Sequence, residues 1–517
     1  MNRQPSRQDL RAALAADPDA VPAAVLLAEQ LLAAGQADEA LAVTARAAAR
    51  RAADLRLWTV RGLAFKSMGR MEQAIEAYAT GVSIAPNSGV AEHNLAGALG
   101  DMQRFAECEA ATRRAFAKRL DAPETWLVHG RALMGQARFP EAIDAYRQAL
   151  RRRPDYAEAH SDLAQLLWMQ SEDAAVASAE LRAAIDASPG STMLRLQLAR
   201  FLEFTGDIPA AMAALAPHLA GNRADPGLNI LASQLLVHSD PAAALEHAAQ
   251  AYAAWPGDSF AGVTFCAANL AAGRADVAAV VAQALHEKSP LDQNAIGLRA
   301  TAWRILGDPR YRELHDYPSV VRTWRIDTPA GWPDLGAYLA DLRRSLERLH
   351  PLRGHPVGQS LRHGSQTLQD LDKVDDPAVR AFFAAIDGPI RKHIAALGPG
   401  ADLLRARANG SYRFNGIWSV RLRASGYHTD HLHPKGWLSS ACYITLPDAI
   451  DHGREGWIKF GEPGVPTSPK LEAEHYVKPE PGLLVLFPSY MWHGTVPFSG
   501  SDYRLTSAFD LLPGSPG

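Results

Sequence analysis

From about residue 22 to residue 305, Ala- and Leu-rich blocks separated by short polar turns predict a run of amphipathic helices. The pattern repeats. Gly69-Arg-Met-Glu-Gln-Ala-Ile-Glu-Ala-Tyr78 recurs 68 residues later, twice 34, as Ala137-Arg-Phe-Pro-Glu-Ala-Ile-Asp-Ala-Tyr146. Trp58 and Trp126, Gly62 and Gly130, and Pro86 and Pro154 keep the same offset. An intermediate copy places Leu95-Ala96 and Phe105 between them, and further copies follow at Leu163-Ala164, Leu198-Ala199, Leu231-Ala232, Phe265-Cys266 and Arg299-Ala300. Pro189, Pro256 and Pro290 fall near unit ends. Each unit is too small to bury its own apolar face and must stack on the next.

A small residue in the first helix, Ala where the second crosses it and Pro closing the unit resemble the tetratricopeptide repeat. The resemblance implies about eight antiparallel helix pairs over residues 22–305, preceded by an N-terminal extension at 1–21. Such arrays commonly hold an extended peptide or protein partner, which is the partner expected here. Cys108 and Cys266 occupy small-residue positions and are expected in the core.

After residue 305 the text changes: Trp, Tyr, Pro, Gly and His become denser. Residues 306–331 read as a linker and 332–517 as a second domain. Helical periodicity returns over 333–349 and 376–397. From about 411 the signals are short strands: Ile417–Leu422, Leu438–Leu446, Trp457–Phe460, Leu483–Phe487 and Tyr503–Leu511, punctuated by Gly and Pro. They predict a β-sandwich or jelly roll with two helices packed outside it. The expected fold is therefore multidomain, an α-solenoid followed by a double-stranded β-helix of cupin-like type.

Composition narrows the function. The chain has 517 residues, 47% of them hydrophobic and 21% charged, so it buries a sizeable core and is not a disordered sequence. With 53 Lys and Arg against 56 Asp and Glu, there is no electrostatic footprint for nucleic acid or an anionic membrane. Three distant cysteines form neither a disulfide framework nor a zinc ribbon. The first twenty residues lack the apolar core of a signal peptide, and the expected location is the cytoplasm.

The chemistry concentrates in Gly426-Tyr-His-Thr-Asp-His-Leu-His-Pro-Lys-Gly-Trp-Leu-Ser-Ser440, which sets His428, Asp430, His431 and His433 in six residues. His493 follows 60 residues after His433, and Arg504 eleven residues after that. Two ligands at i and i+2 share one side of a strand, and a distant His completes a facial set of three with sites left open. By donor chemistry His428 and Asp430 with His493 form the usual two-His-one-carboxylate set for non-haem Fe(II). Trp418, Val420 and Leu422 share the parity of that pair, unless Gly426 breaks the alternation. Arg504 is placed to fork onto the distal carboxylate of 2-oxoglutarate.

The motifs His431-Leu-His433-Pro434, Trp437-Leu-Ser-Ser-Ala-Cys-Tyr443, Gly482-Leu-Leu-Val-Leu-Phe-Pro-Ser489, His493 and Arg504 resemble those of 2-oxoglutarate/Fe(II) oxygenases. Gln359-Ser-Leu-Arg-His-Gly-Ser-Gln-Thr367 resembles an upstream segment of that family. The pattern is similar also to aspartyl/asparaginyl β-hydroxylases, where helical repeats precede an oxygenase without the carboxylate ligand. The resemblance implies His431, His433 and His493 as the ligands, so two ligand sets stand side by side with His493 common to both. It also implies Fe(II), dioxygen and 2-oxoglutarate, decarboxylated to succinate as a peptide or protein is hydroxylated. Thr506, Ser507, Tyr443, Ser439 and Arg421 are candidate contacts to cosubstrate or substrate. Trp437 and Trp492 are expected to pack, and His363 and His475 to carry no role. The alternatives are a repeat adaptor with an inactive jelly roll, and a three-His cupin dioxygenase that needs no 2-oxoglutarate.

Overall fold

The computed structural model describes residues 5–50 and 52–514; the ends of the expected extension and of the second domain, 1–4 and 515–517, lie outside the described residues. The chain divides into two compact units, Met1–Leu163 and Ala164–Gly517.

The first unit is helical throughout. Several of its helices begin on side chains that accept from the unpaired amides of the first turn, such as Ser6, Asp54 and Ser88, or on Pro at the first helical position, as at Pro123. The 68-residue offset has a packing cause. A Cβ on Gly62 would lie 2.5 Å from the Tyr78 ring, and one on Gly130 would lie 2.6 Å from Tyr146. Glycine in the first helix makes room for a buried Tyr from the second, so both residues repeat together. Cys108 is buried in the same core.

In the second unit helix pairs continue to a last helix, Gln293–Leu306, and then give way to strands. Gly262 repeats the device of the first unit, with Leu285 in place of the aromatic ring. The strands are β1 (Arg322–Arg325), β2 (Leu361–Gln366), β3 (Tyr412–His428), β4 (Leu438–Thr445), β5 (Ile458–Phe460), β6 (His475–Val477), β7 (Leu483–Pro488), β8 (His493–Thr495) and β9 (Arg504–Pro513). They form a six-stranded sheet, β1-β7-β4-β9-β3-β2, and a three-stranded sheet, β6-β5-β8, all antiparallel: the jelly roll expected from the sequence. The predicted helices are present as Leu335–Arg348 and Pro377–Leu397.

Those helices bury Tyr338, Leu342 and Leu346, and Phe382, Ile386 and Ile390, against Cys442, Leu484, Leu486, Leu505, Phe509 and Leu511. That fixes the two faces of the large sheet. Leu505, Phe509 and Leu511 of β9 turn toward the helices, so by alternation Arg504, Thr506 and Asp510 face the other way.

One expectation changes. The 306–331 segment, read as a linker, holds two short helices and β1, an edge strand paired with β7. Tyr311, Leu314, Tyr317, Val320 and Ile326 put it in the domain's main core. Residues 353–357, which precede β2, lie along the helical residues 165–172. Arg353 and Gly354 amides donate to Met169 O at 3.1 and 2.8 Å, the Val357 amide donates to Gln165 Oε1 at 3.1 Å, and the His355 ring packs between Trp168 and Phe204.

A three-histidine cluster on the inner sheet face

His493 opens β8, and His431 and His433 lie in the segment between β3 and β4. The backbone brings them together: His431 and His493 exchange two N–H···O bonds of 2.9 Å, and the His433 amide donates to Ser489 O at 3.0 Å. Ring centroids are 4.2 Å apart for His431 and His493, and 5.2 Å for His433 with either. One ring nitrogen from each of the three lies within 4.8 Å of the others.

The hydrogen bonds orient the rings. His431 Nδ1 lies 2.8 Å from Thr429 O, His493 Nδ1 lies 3.0 Å from Met491 O, and His433 Nδ1 lies 2.7 Å from Asp510 Oδ2. Each Nδ1 thus has an oxygen acceptor, which fixes the ring orientations and turns Nε2 the other way. Burial pushes His431 down to about 3 and His493 well below the ordinary histidine value, with the neighbouring imidazoles adding to the shift. Three imidazoles gathered this way suit a transition metal.

Asp510 is held in turn. Its Oδ1 accepts from Ser439 Oγ at 2.7 Å, and Ser439 Oγ lies 2.8 Å from Ser489 Oγ. Ser439, a candidate contact to cosubstrate or substrate, is fully buried and bonded to Asp510 behind His433.

The alternative pair is placed elsewhere. Asp430 Oδ2 is bonded to Lys459 Nζ at 2.8 Å, and Lys459 also pairs with Glu462. Burial raises the Asp430 carboxyl to about 6. His428 stands beside the cluster, its ring 5.8 Å from His431 and its Nδ1 3.0 Å from Ser360 Oγ, which also lies 3.2 Å from His431 Nε2. The parity argument from Trp418, Val420 and Leu422 does not reach this far, because Ser425 takes a positive φ and the β2/β3 register shifts beside it.

Arg504 is 2% exposed, and no carboxylate pairs with it among the described residues. Its guanidinium donates to Thr495 Oγ1 at 2.9 Å and lies over the Tyr443 ring at 5.0 Å. Arg504 Nε and the Tyr443 hydroxyl are buried with no hydrogen-bond partner. Thr495 is two residues beyond His493 on β8, so the two share a side and stand about 7 Å apart along the strand. Thr506 shares the Arg504 face, whereas Ser507 bonds to Trp418 O from the opposite one. Arg421 reaches His350 O at 3.4 Å. Trp437 donates to Leu404 O from within the core, and His475 stacks on Tyr317. His363 is exposed, with a positive φ.

Sequence reasoning missed Asp510, Ser489 and Thr495. The available signal was strand parity, since Asp510 lies six residues from Arg504 in one strand.

No helix among the described residues is long and apolar enough to cross a membrane. Comparison with curated proteins gives no match. Among solved structures the chain is similar to MamA from Desulfovibrio magneticus RS-1, at 16% identity over 33% of this chain and 97% of that one, with a TM-score of 0.30. A thermophilic tetratricopeptide-repeat protein of Thermus thermophilus, TTC0263, gives 21% identity over 31% of this chain and 88% of that one, with a TM-score of 0.28. Residues 55–88 and 127–192 match tetratricopeptide-repeat families, and residues 416–510 match the family described as "Putative 2OG-Fe(II) oxygenase". The chain thus joins tetratricopeptide repeats to a domain of that oxygenase family.

Proposed function

We propose that the jelly roll is an Fe(II)- and 2-oxoglutarate-dependent dioxygenase, with His431, His433 and His493 as the iron ligands and Arg504 as the anchor of the cosubstrate. The observation that carries this reading is the pairing of two unmet demands on one face. Three imidazoles each bring a ring nitrogen within 4.8 Å of the others, and a buried guanidinium has no anion. A buried charge without a partner is costly, so the site is built for a carboxylate. Thr495, which holds Arg504, stands two residues from His493 on one strand, so a short diacid held at the metal would meet the guanidinium with its other end. Arg504 and Tyr443 interact with one another there and are the buried donors nearest that end.

Iron held there supplies dioxygen activation, with 2-oxoglutarate as the co-reductant. The protein's part is to bind, orient and exclude water. Asp510 behind His433 places a carboxylate one shell out from the metal, where the commoner set has it as a ligand. Thr495 steers the Arg504 fork, and Phe487 and Phe460 wall off His493. Repeats of this type generally mediate protein interactions, and residues 165–172 already accept a loop segment of the chain itself. We therefore read the substrate as a peptide or protein that the repeats recruit.

The test is anaerobic titration with Fe(II) and then 2-oxoglutarate. Apparent affinity for 2-oxoglutarate should fall in the order wild type, Arg504→Lys, Arg504→Ala, while Fe(II) binding is little changed. Loss of a charge-assisted pair of this kind costs on the order of 2–5 kcal/mol, or roughly 30- to several-thousand-fold. Unaltered 2-oxoglutarate affinity in Arg504→Ala would remove the reason for the cosubstrate. A second reading rests on the absence of a carboxylate from the three-histidine set: a three-His dioxygenase with no cosubstrate. Arg504→Ala would leave that activity nearly intact.

A further inference from the structure

The ligand-bearing segments have a back side, and it belongs to the repeats. Residues alternate along extended chain, so where His431 and His433 point into the cluster, Leu432 between them points out of it. Trp492 stands in the same relation to His493. Leu432 is 7% exposed and Trp492 is 9% exposed, and both are buried in the apolar cluster of the last three repeat helices, with Leu270, Leu285, Ala295, Leu298 and Ala302. Trp492 Nε1 donates to Thr301 Oγ1 at 3.0 Å, and Thr301 Oγ1 donates to Gly297 O at 2.8 Å. The Gln293 amide donates to Pro434 O at 3.2 Å. Gly297 is the point of closest approach: a Cβ there would lie 2.5 Å from Leu432 Cδ2, 3.0 Å from Tyr490 O and 3.7 Å from Trp492 Nε1. One turn of one helix therefore touches both ligand-bearing segments at once.

We infer that the helix Gln293–Leu306 is a positioning element of the metal site, with Gly297 and Thr301 as its positioning residues, so that the terminal repeat is part of the oxygenase rather than a tether to it. Metal ligation tolerates about half an ångström of error, and sites on loops are less precise than sites on regular elements. The segment carrying His431 and His433 has one isolated bridge and no strand of its own. The precision it lacks comes from Leu432 and Trp492, seated on a rigid helix. An indole held at both its ring nitrogen and its face fixes the neighbouring backbone, and with it the direction of His493. The helix makes no contact with the reacting atoms, and its action passes through the ligands.

The inference rests on the three-histidine reading, and full-length protein tests it. The readouts are the Fe(II) dissociation constant, measured anaerobically, and the thermal midpoint. Gly297→Val should weaken Fe(II) at least ten-fold, because a branched side chain cannot be absorbed by turning Leu432 alone. Gly130→Val is the control. It forces a similar clash against Tyr146, where a Cβ would lie 2.6 Å from that ring, and neither residue belongs to the cluster that seats Leu432 and Trp492. It should lower the thermal midpoint comparably and keep Fe(II) affinity within two-fold. Thr301→Val keeps the shape, removes the acceptor for Trp492 and should weaken Fe(II) three- to ten-fold; it decides the matter if Gly297→Val does not fold. Wild-type uptake of Fe(II) with unchanged affinity in Thr301→Val and in folded Gly297→Val overturns the inference alone. Wild-type protein that takes up no Fe(II) overturns the three-histidine reading and this inference with it.

Discussion

His433 and the carboxylate that orients it are 77 residues apart in sequence and 2.7 Å apart in the fold. A metal-bound imidazole is only as well aimed as the acceptor on its other nitrogen, and here that acceptor is charged and itself held by Ser439. Asp510→Asn keeps the size but replaces a charged acceptor by an amide that can turn either end to the ring. We expect Fe(II) affinity to fall about 10- to 100-fold, the usual cost of losing an outer partner of this kind. Ser439→Ala should produce a smaller loss in the same direction, since Asp510 would keep His433 but lose its own anchor. Anaerobic Fe(II) titration of both variants checks this, and an unchanged constant in Asp510→Asn would reduce the carboxylate to a packing role.

Among the helices, the recurring contact is a glycine of one helix against a large side chain of its partner. Gly130 faces Tyr146, which is fully buried, so the ring has no free volume to retreat into. Gly130→Ala should therefore cost about 1–3 kcal/mol, the range for overpacking a close-packed core, even though alanine is the better helix former. Tyr146→Leu in the same chain should recover much of it by removing the ring that the methyl meets. Thermal unfolding of the single and double variants measures the coupling, and additive losses would show that the two positions do not share one site. The strands obey a different logic. In β9 the odd positions Leu505, Phe509 and Leu511 serve the core, and the even positions Arg504 and Asp510 serve the site. A one-residue slip would exchange the two sets, so burial of one face also fixes the chemistry of the other.

At the scale of the second unit, several histidines are buried as neutral bases. Burial pushes His350 and His393 down to about 3 and His315 to about 4, with the Arg421 and Arg322 charges adding to the first two. Each of these side chains takes up a proton in the unfolded chain near pH 6.5 but resists it when folded. The native state thus binds fewer protons below that pH, and stability falls as pH drops from about 6.5 toward 4. Above pH 7 these three groups contribute no slope. At pH 5 each should have cost about 2 kcal/mol. Urea midpoints of the full chain between pH 8 and pH 5 test the sign, with near-ultraviolet circular dichroism reporting the Trp-rich second unit. A midpoint that holds constant or rises on acidification would contradict it.

The 34-residue period, the two outer helices and the principal strands were legible in the sequence because they are local: spacing, capping and alternation act over a few residues. So was the histidine-rich motif that could hold a metal. That His431 and His433, and not Asp430, gather with His493 was not, because it turns on the positive φ at Ser425 and on the long-range pairing of His431 with His493. Lys459, 29 residues beyond Asp430, engages that carboxylate, and Asp510 supplies another one behind His433. The segment 306–331 looked like a linker since four residues of edge strand carry too little pattern to announce themselves, and only pairing with β7 makes them a strand. Sequence decided which elements form, because their periods are written in neighbouring residues. Tertiary structure alone decided which side chains meet, because hydrogen-bond partners and close backbone approaches, such as Gly297 on Leu432, join residues that no local period connects.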